Sequence, residues 1–196
     1  MLILRCPAQL QLLEETLRKS LPTTLPVLGT VMTVARGNPA SHEVLVDTWP
    51  HFSIVLTRLR PEVLPRVPLS WQQNPTPWGA GNWGFSIPHS AMPCCRMPPG
   101  LRLAPVSPSH IPLLNATWAL GGNARSRAFL LGLVRTLPSA CLLDQRGRPV
   151  SWSLLDGQGC LRHGYTVPAW RGHGLTGAVL AVLGRDLHAR GFPIYG

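Results

Sequence analysis

The chain has 196 residues, 45% of them hydrophobic, and 18 basic side chains stand against 8 acidic ones for a net charge of +10. That length suggests one domain of ordinary size, or one and a half, and is enough to bury a core without disulfides or metals. The apolar fraction excludes wholesale disorder, and no apolar run reaches the roughly 18–20 residues of a membrane span. Five cysteines without a secretory signal argue against a disulfide scaffold, so a soluble, reduced, intracellular protein is the expectation. Lys19 is the only lysine, and no acidic residue occurs between Glu62 and Asp144. Such a balance favours an anionic partner, whether a phosphorylated cofactor, an acidic lipid or a nucleic acid.

In chain order, residues 8–20 read as a helix, because Leu10, Leu13, Leu17 and Leu21 form one apolar stripe that Pro22 ends. The Val- and Thr-rich residues 27–36 read as a strand, Gly37-Asn38-Pro39 as a turn, and Phe52–Leu59 as a further strand. From Leu64 to Pro105 the character changes. Nine prolines, three tryptophans (Trp71, Trp78, Trp83) and the pair Cys94-Cys95 leave no helical or strand period. Prolines this dense remove backbone donors and fix φ, so the stretch reads as a linker or disordered insert. With no second cysteine pair and only His89 nearby, loose thiols fit better than a metal site.

Order is expected again from residue 106. Ser107 or Ser109 caps a helix running to about Leu120, and Gly121-Gly122 ends it. Asn123 caps a second helix to Thr136, with Phe129, Leu130, Leu133 and Val134 as its buried stripe. Three strands, Ala140–Leu143, Pro149–Leu155 and Cys160–Val167, follow as an antiparallel meander joined by Asp- and Gly-rich turns. A helix over about Gly174–Arg190 comes next, and Phe192–Tyr195 opens another strand.

The stretch carrying chemistry is Pro168-Ala169-Trp170-Arg171-Gly172-His173-Gly174-Leu175-Thr176-Gly177, set between a strand and a helix. Glycines there let the backbone close on an oxyanion, and the helix N-terminus presents unpaired N–H groups at its positive end. The natural ligand is a phosphate or pyrophosphate. This stretch resembles motif A of the GNAT acyltransferases, with Thr176 in place of the usual last Gly or Ala. Further likenesses narrow the resemblance to the glycine N-acyltransferase-like family: the 17–22 run, Gly37-Asn38-Pro39, residues 46–50, Gly121-Gly122-Asn123, residues 149–153, and His173-Gly174-Leu175 followed by Gly191-Phe192-Pro193. They cover about residues 1–60 and 106–196.

The resemblance implies an α/β (α+β) fold: a GNAT-like mixed sheet with flanking helices over 106–196, truncated at its C-terminus. A partial N-terminal α/β half over 1–63 precedes it, and the 64–105 linker lies between. It implies an enzyme that moves an acyl group from acyl-CoA to the amino group of glycine or a similar small amino acid. Acyl-CoA is then a cosubstrate, with no permanently bound cofactor and no metal. Backbone N–H around Thr166 and Val167 would hold the acyl carbonyl. The turn of Arg171, Gly172, His173, Gly174, Leu175 and Thr176 would take the CoA pyrophosphate. Relatives place a catalytic Glu on the incoming strand where this chain has Cys160, a poor base. His163 is the candidate replacement, although strand alternation puts residues 160 and 163 on opposite faces unless a bulge intervenes. Two other readings stand beside this one. One is a catalytically inactive truncated homologue with weak or no CoA binding, and the other is a basic nucleic-acid-binding protein. Arginines that are scattered and lack a recognised motif make nucleic acid the least favoured partner. A monomer without a membrane span is expected, in mitochondria by resemblance or otherwise in the cytoplasm.

Overall fold

The computed structural model describes residues 1–60 and 99–196; most of the expected linker, with Cys94, Cys95, His89 and its three tryptophans, lies outside them. The first half contains β1 (Leu2–Leu4), α1 (Pro7–Arg18), α2 (Leu25–Ala35), β2 (His42–Val46) and β3 (Val55–Leu59). Its three strands pair antiparallel in the order β1-β2-β3. Helix α1 buries Leu10, Leu13 and Leu17, three of the four leucines expected; it ends at Arg18, before Leu21, which is exposed.

Residues 27–36 are helical, not extended. Pro26 sits in the first turn of α2, where its missing N–H costs nothing. The β-branched residues that suggested a strand are tolerated because nearly every side of this helix is buried, from Leu28 through Thr33. Its two buried hydroxyls bond back into the helix, Thr30 Oγ1 to Pro26 O at 2.8 Å and Thr33 Oγ1 to Thr30 O at 2.9 Å. Burial outweighs a propensity difference of a few tenths of a kcal/mol per residue.

The second half runs β4 (Arg102–Ala104), α3 (Ile111–Thr117), α4 (Ala124–Thr136), β5 (Ser139–Leu143), β6 (Pro149–Leu155), β7 (Leu161–Thr166) and α5 (Leu175–Ala189). The expected meander is present, and β4 adds to its edge in the order β4-β5-β6-β7. The chain is therefore already in the sheet at Arg102, within the stretch expected to be linker. The helix expected from Ser107 to Leu120 is shorter: Ser107 caps a 3₁₀ turn over Pro108–His110, and α3 ends at Thr117. Asn123 caps α4 as expected, with Asn123 Oδ1 accepting from Ser126 N at 2.8 Å and Ser126 Oγ returning a bond to the cap. Every residue of β6 is buried, so both faces of that strand are covered; α5 packs across β5, β6 and β7, and α4 packs on β6.

Both sheets are antiparallel throughout, and the expected strand at Phe192–Tyr195 does not form. Leu161 N donates to Tyr195 O at 2.8 Å, a single bond beside the start of β7. Beyond it, the outer edge of β7 has no strand partner among the described residues.

The halves share one hydrophobic core that holds Leu13, Leu28 and Met32 together with Trp152, Leu155 and Leu187. The β6–β7 turn is pressed against α2. A Cβ on Gly29 would lie 2.0 Å from Gln158 O, so only glycine allows this approach. Thr33 Oγ1 donates to Gly157 O at 2.6 Å and the Tyr195 hydroxyl to Gln158 O at 2.5 Å, which fixes the turn from two sides.

Candidate functional site

The glycine turn after β7 has the form its sequence suggests. Pro168–Trp170 makes a 3₁₀ turn, Gly172 and Gly174 take φ of +80° and +70°, and α5 begins at Leu175. A side chain at either glycine would meet no atom within 4 Å, so these glycines are required by backbone conformation, not by crowding. The N-cap of α5 is Gly174, which offers no side-chain oxygen. Helix-start N–H groups at Leu175, Thr176 and Gly177 are thus left to an external acceptor at the positive end of a 15-residue helix.

Side chains around the turn tie it to β7. Thr166 Oγ1 lies 2.8 Å from Ser151 Oγ and 3.0 Å from Thr176 Oγ1, a hydroxyl chain from β6 through β7 to α5. Arg171 Nε donates to Thr166 O at 3.0 Å and its guanidinium lies 5.4 Å from the Tyr165 ring centre. Arg171 is thus held on the strand end. His173 Nδ1 lies 2.9 Å from Arg171 O, which can only accept, so Nδ1 carries the proton.

The two expected carbonyl-binding donors separate here. Val167 N donates to Val150 O at 2.9 Å, so it is part of the ladder and corrects the expectation for that residue. Alternation then turns the N–H of Thr166 to the unpaired outer edge. Its carbonyl on the same edge is covered by Arg171, so the edge offers a donor there.

Three residues earlier, β7 is bulged. Trp152 pairs with Tyr165 and Leu154 with Arg162, which leaves Ser153 facing both His163 and Gly164. His163 takes φ of +55°, an uncommon left-handed conformation for a non-glycine residue. Strand alternation therefore does not decide where its imidazole points. It packs edge-on to Trp118 at 4.8 Å and lies 6.1 Å from Phe129. Burial there lowers its pKa, partly opposed by Asp156 and assisted by Arg162. Its Nδ1 is buried without a hydrogen-bond partner, as is Nδ1 of His42.

His163 stands where two cavities meet. One, of about 360 Å³, lies against Trp152, Gly164 and Tyr165 of the sheet and Leu114, Thr117 and Leu130 of the helices. The other, of about 440 Å³, lies between the halves and takes in His42, Leu59, Phe129, Asp156 and Arg162. Trp118 and His163 line both. Cys160 lines neither: the residue is 3% exposed and clusters with Leu25 and Tyr195. Burial raises its pKa, against the lowering effect of Arg162. A proton-transfer role for Cys160 has no geometric support.

Sequence reasoning singled out the turn, Thr166 and His163, but not His42, Trp118 and Arg162, which line one cavity with His163. No local pattern in the sequence marks either His42 or Arg162. No cluster of side chains among the described residues could hold a metal ion, and no helix among them is long and apolar enough to cross a membrane.

The family described as aralkyl acyl-CoA:amino acid N-acyltransferase matches residues 1–66, and its C-terminal region matches residues 140–196. A glycine N-phenylacetyltransferase from Bos taurus is 30% identical over 258 aligned residues, covering 98% of this chain and 88% of that protein. A glycine N-acyltransferase from Bos taurus is 29% identical, and a glycine N-acyltransferase-like protein from Mus musculus 28%; each alignment covers all of this chain and 88% of the relative. The 258 aligned positions exceed the 196 residues here, so the bovine protein carries residues within the aligned span that this chain lacks. With both regions matched in order and nine-tenths of these relatives spanned, the chain belongs to the aralkyl acyl-CoA:amino acid N-acyltransferase family, that of the glycine N-acyltransferases.

Proposed function

We propose that this chain transfers an acyl group from acyl-CoA to the amino group of glycine or a similar small amino acid. The observation that carries the reading is the bulge in β7. It presents the His163 imidazole to two cavities on the strand whose far end bears the free Thr166 N–H and the phosphate turn.

The CoA pyrophosphate sits on the N–H groups from Gly172 to Thr176, where fixed dipoles attract its charge. The thioester carbonyl accepts from Thr166 N–H, which stabilises the oxyanion as it develops. The acyl group enters the cavity against Trp152, Tyr165 and Leu130, whose aromatic and branched walls suit a phenylacetyl or similar apolar group. His163, neutral because burial disfavours its charged form, takes a proton from the incoming ammonium. Three residues of strand, about 10 Å along the backbone, separate His163 from Thr166, so the imidazole side chain, the amine and a bridging water together span the gap. The amine nitrogen then attacks the carbonyl carbon, the C–N bond forms and the C–S bond breaks. The departing thiolate receives the second proton from nitrogen, and the first leaves through His163.

Titration calorimetry with CoA and with phenylacetyl-CoA at two salt concentrations tests the cofactor half. Micromolar binding that weakens with salt is expected, and no binding by a folded chain overturns it. An assay of thiol release with phenylacetyl-CoA and glycine tests the chemistry. Tight CoA binding with no thiol release would favour a silent CoA-binding homologue, a reading supported by Cys160, which is buried and lines neither cavity.

A further inference from the structure

We infer that the cavity beside the glycine turn takes the adenosine 3′-phosphate of CoA, with Arg146 holding the phosphate and Trp170 the purine. The inference rests on the acyl-transfer reading and extends it to the far end of the cosubstrate.

Topology brings the parts of this site together. β5 and β7 each pair antiparallel with β6, so they run the same way and their C-terminal ends lie at one end of the sheet. The β5–β6 turn leaves from the first and the glycine turn from the second. A cavity of about 440 Å³ is lined by Arg146 and Arg148 of the β5–β6 turn and by Trp170. Gly100 completes the wall: a Cβ there would stand 3.1 Å from Gln145 Nε2, so the chain entering β4 lies close against the turn. Trp170 is the link to the glycine turn. It ends the 3₁₀ turn immediately before Arg171, and its ring lies 6.3 Å from that of His173. A nucleotide whose pyrophosphate lies on residues 172–176 therefore has this cavity next to it, where its ribose and base follow.

The charge in this corner is positive. Asp144 is the one acid lining the cavity, and it is already engaged. Its Oδ1 accepts from Arg146 N and Arg148 N at 2.9 Å each, and its Oδ2 pairs with the Arg148 side chain. Asp144 thus shapes the turn and fixes Arg148. Arg146 gives only its backbone N–H to that arrangement; its exposed side chain has no ion pair or hydrogen bond among the described residues. On β4, a guanidinium nitrogen of Arg102 lies 3.8 Å from where a Cβ on Gly147 would stand, which adds a third positive charge at the turn. A phosphate monoester carries close to two negative charges and three acceptor oxygens, a match for an unpaired planar guanidinium. The half-buried ring of Trp170 gives the purine a face to stack on.

Calorimetric titration of the full chain with CoA and with dephospho-CoA, which lacks only the 3′-phosphate, tests this directly. Dephospho-CoA is expected to bind about tenfold more weakly, with the difference shrinking at high salt. In Arg146→Gln, CoA affinity should fall to that of dephospho-CoA. Arg135→Gln, which removes an exposed arginine of α4, should keep the full preference. Equal binding of the two nucleotides by the unaltered chain overturns the inference. So does a preference that survives Arg146→Gln, or one that Arg135→Gln diminishes as much, since net charge alone would then be read. Adenosine 3′,5′-bisphosphate probes the purine: Trp170→Ala should weaken its binding about tenfold and Trp170→Phe should keep most of it, whereas unchanged binding in Trp170→Ala overturns the purine assignment. Thiol release from phenylacetyl-dephospho-CoA with glycine reports the acyl-transfer reading separately. Turnover without any preference for the 3′-phosphate leaves that reading standing and sinks this one; if neither nucleotide binds, both fall.

Discussion

The two ends of β7 are built on different principles. At its C-terminal end the glycine turn is a local construction: two positive-φ glycines, an uncapped helix start and a chain of hydroxyls among near neighbours. At its N-terminal end, the bulge at His163 exists because β6 and β7 pair on either side of it, and because Trp118, just after α3, and Phe129 of α4 form a seat for the ring. A phosphate site needs only backbone donors with a dipole behind them, so a short sequence can make one. A proton acceptor needs a controlled environment, which only distant chain segments can supply.

Substitutions that strike one end should leave the other intact. The largest effect is expected from His163→Ala, with kcat for acyl transfer falling about 10²–10⁴-fold. CoA affinity measured by calorimetry should stay within twofold in this variant. A fall in CoA affinity of the same size would mean that the bulge shapes the phosphate end as well.

Gly29→Ala attacks the support of the acceptor end from the other half of the molecule. The new methyl would sit 2.0 Å from Gln158 O and 2.7 Å from the Tyr195 hydroxyl. Loss of about 3 kcal/mol is expected, read as a lowered urea midpoint. A wild-type midpoint would show that α2 and the β6–β7 turn can move apart freely.

At the glycine turn, Gly174→Ala forces a Cβ into the left-handed region at φ +70°. About 1–2 kcal/mol of strain follows, read as a tenfold weaker CoA complex with kcat at saturation unchanged. Thr166→Val removes the hydroxyl linking Ser151 to Thr176 and keeps the backbone N–H. About 1 kcal/mol of stability should be lost, with thiol release at saturating substrate kept.

The gentlest perturbation is pH. Burial holds His42 and His163 below the ordinary imidazole value of 6.5, against the opposing charge of Asp156. Between the folded and unfolded pKa values the unfolded chain binds more protons, so stability rises with pH across that window. It is complete above about 6.5 and declines as pH falls toward the folded values. Urea midpoints from pH 8 to pH 5 should show a plateau and then a decline, and the decline should shrink in His42→Phe.

Much of the fold was legible where a local rule had no competitor. Helix α1 follows from its leucine spacing, α4 from Asn123 and its reciprocal partner Ser126, and the β5–β7 meander from its turn residues. Helix α2 was read as a strand because Val and Thr favour strands on a half-buried surface, whereas this segment is enclosed and its hydroxyls satisfy themselves. Strands β1 and β4, of three residues each, are too short to show a period, and only pairing makes them strands.

The sequence by itself determined the glycine turn and its place between a strand and a helix. Glycine at 172 and 174 is a backbone requirement that each residue carries alone. Only the tertiary structure decided that the N–H of Thr166, not that of Val167, faces the open edge, that Cys160 turns into the core, and that His42, Arg162 and His163 share one cavity. Those outcomes depend on pairing register and on contacts between residues more than a hundred positions apart, and neither is encoded in any local stretch of chain.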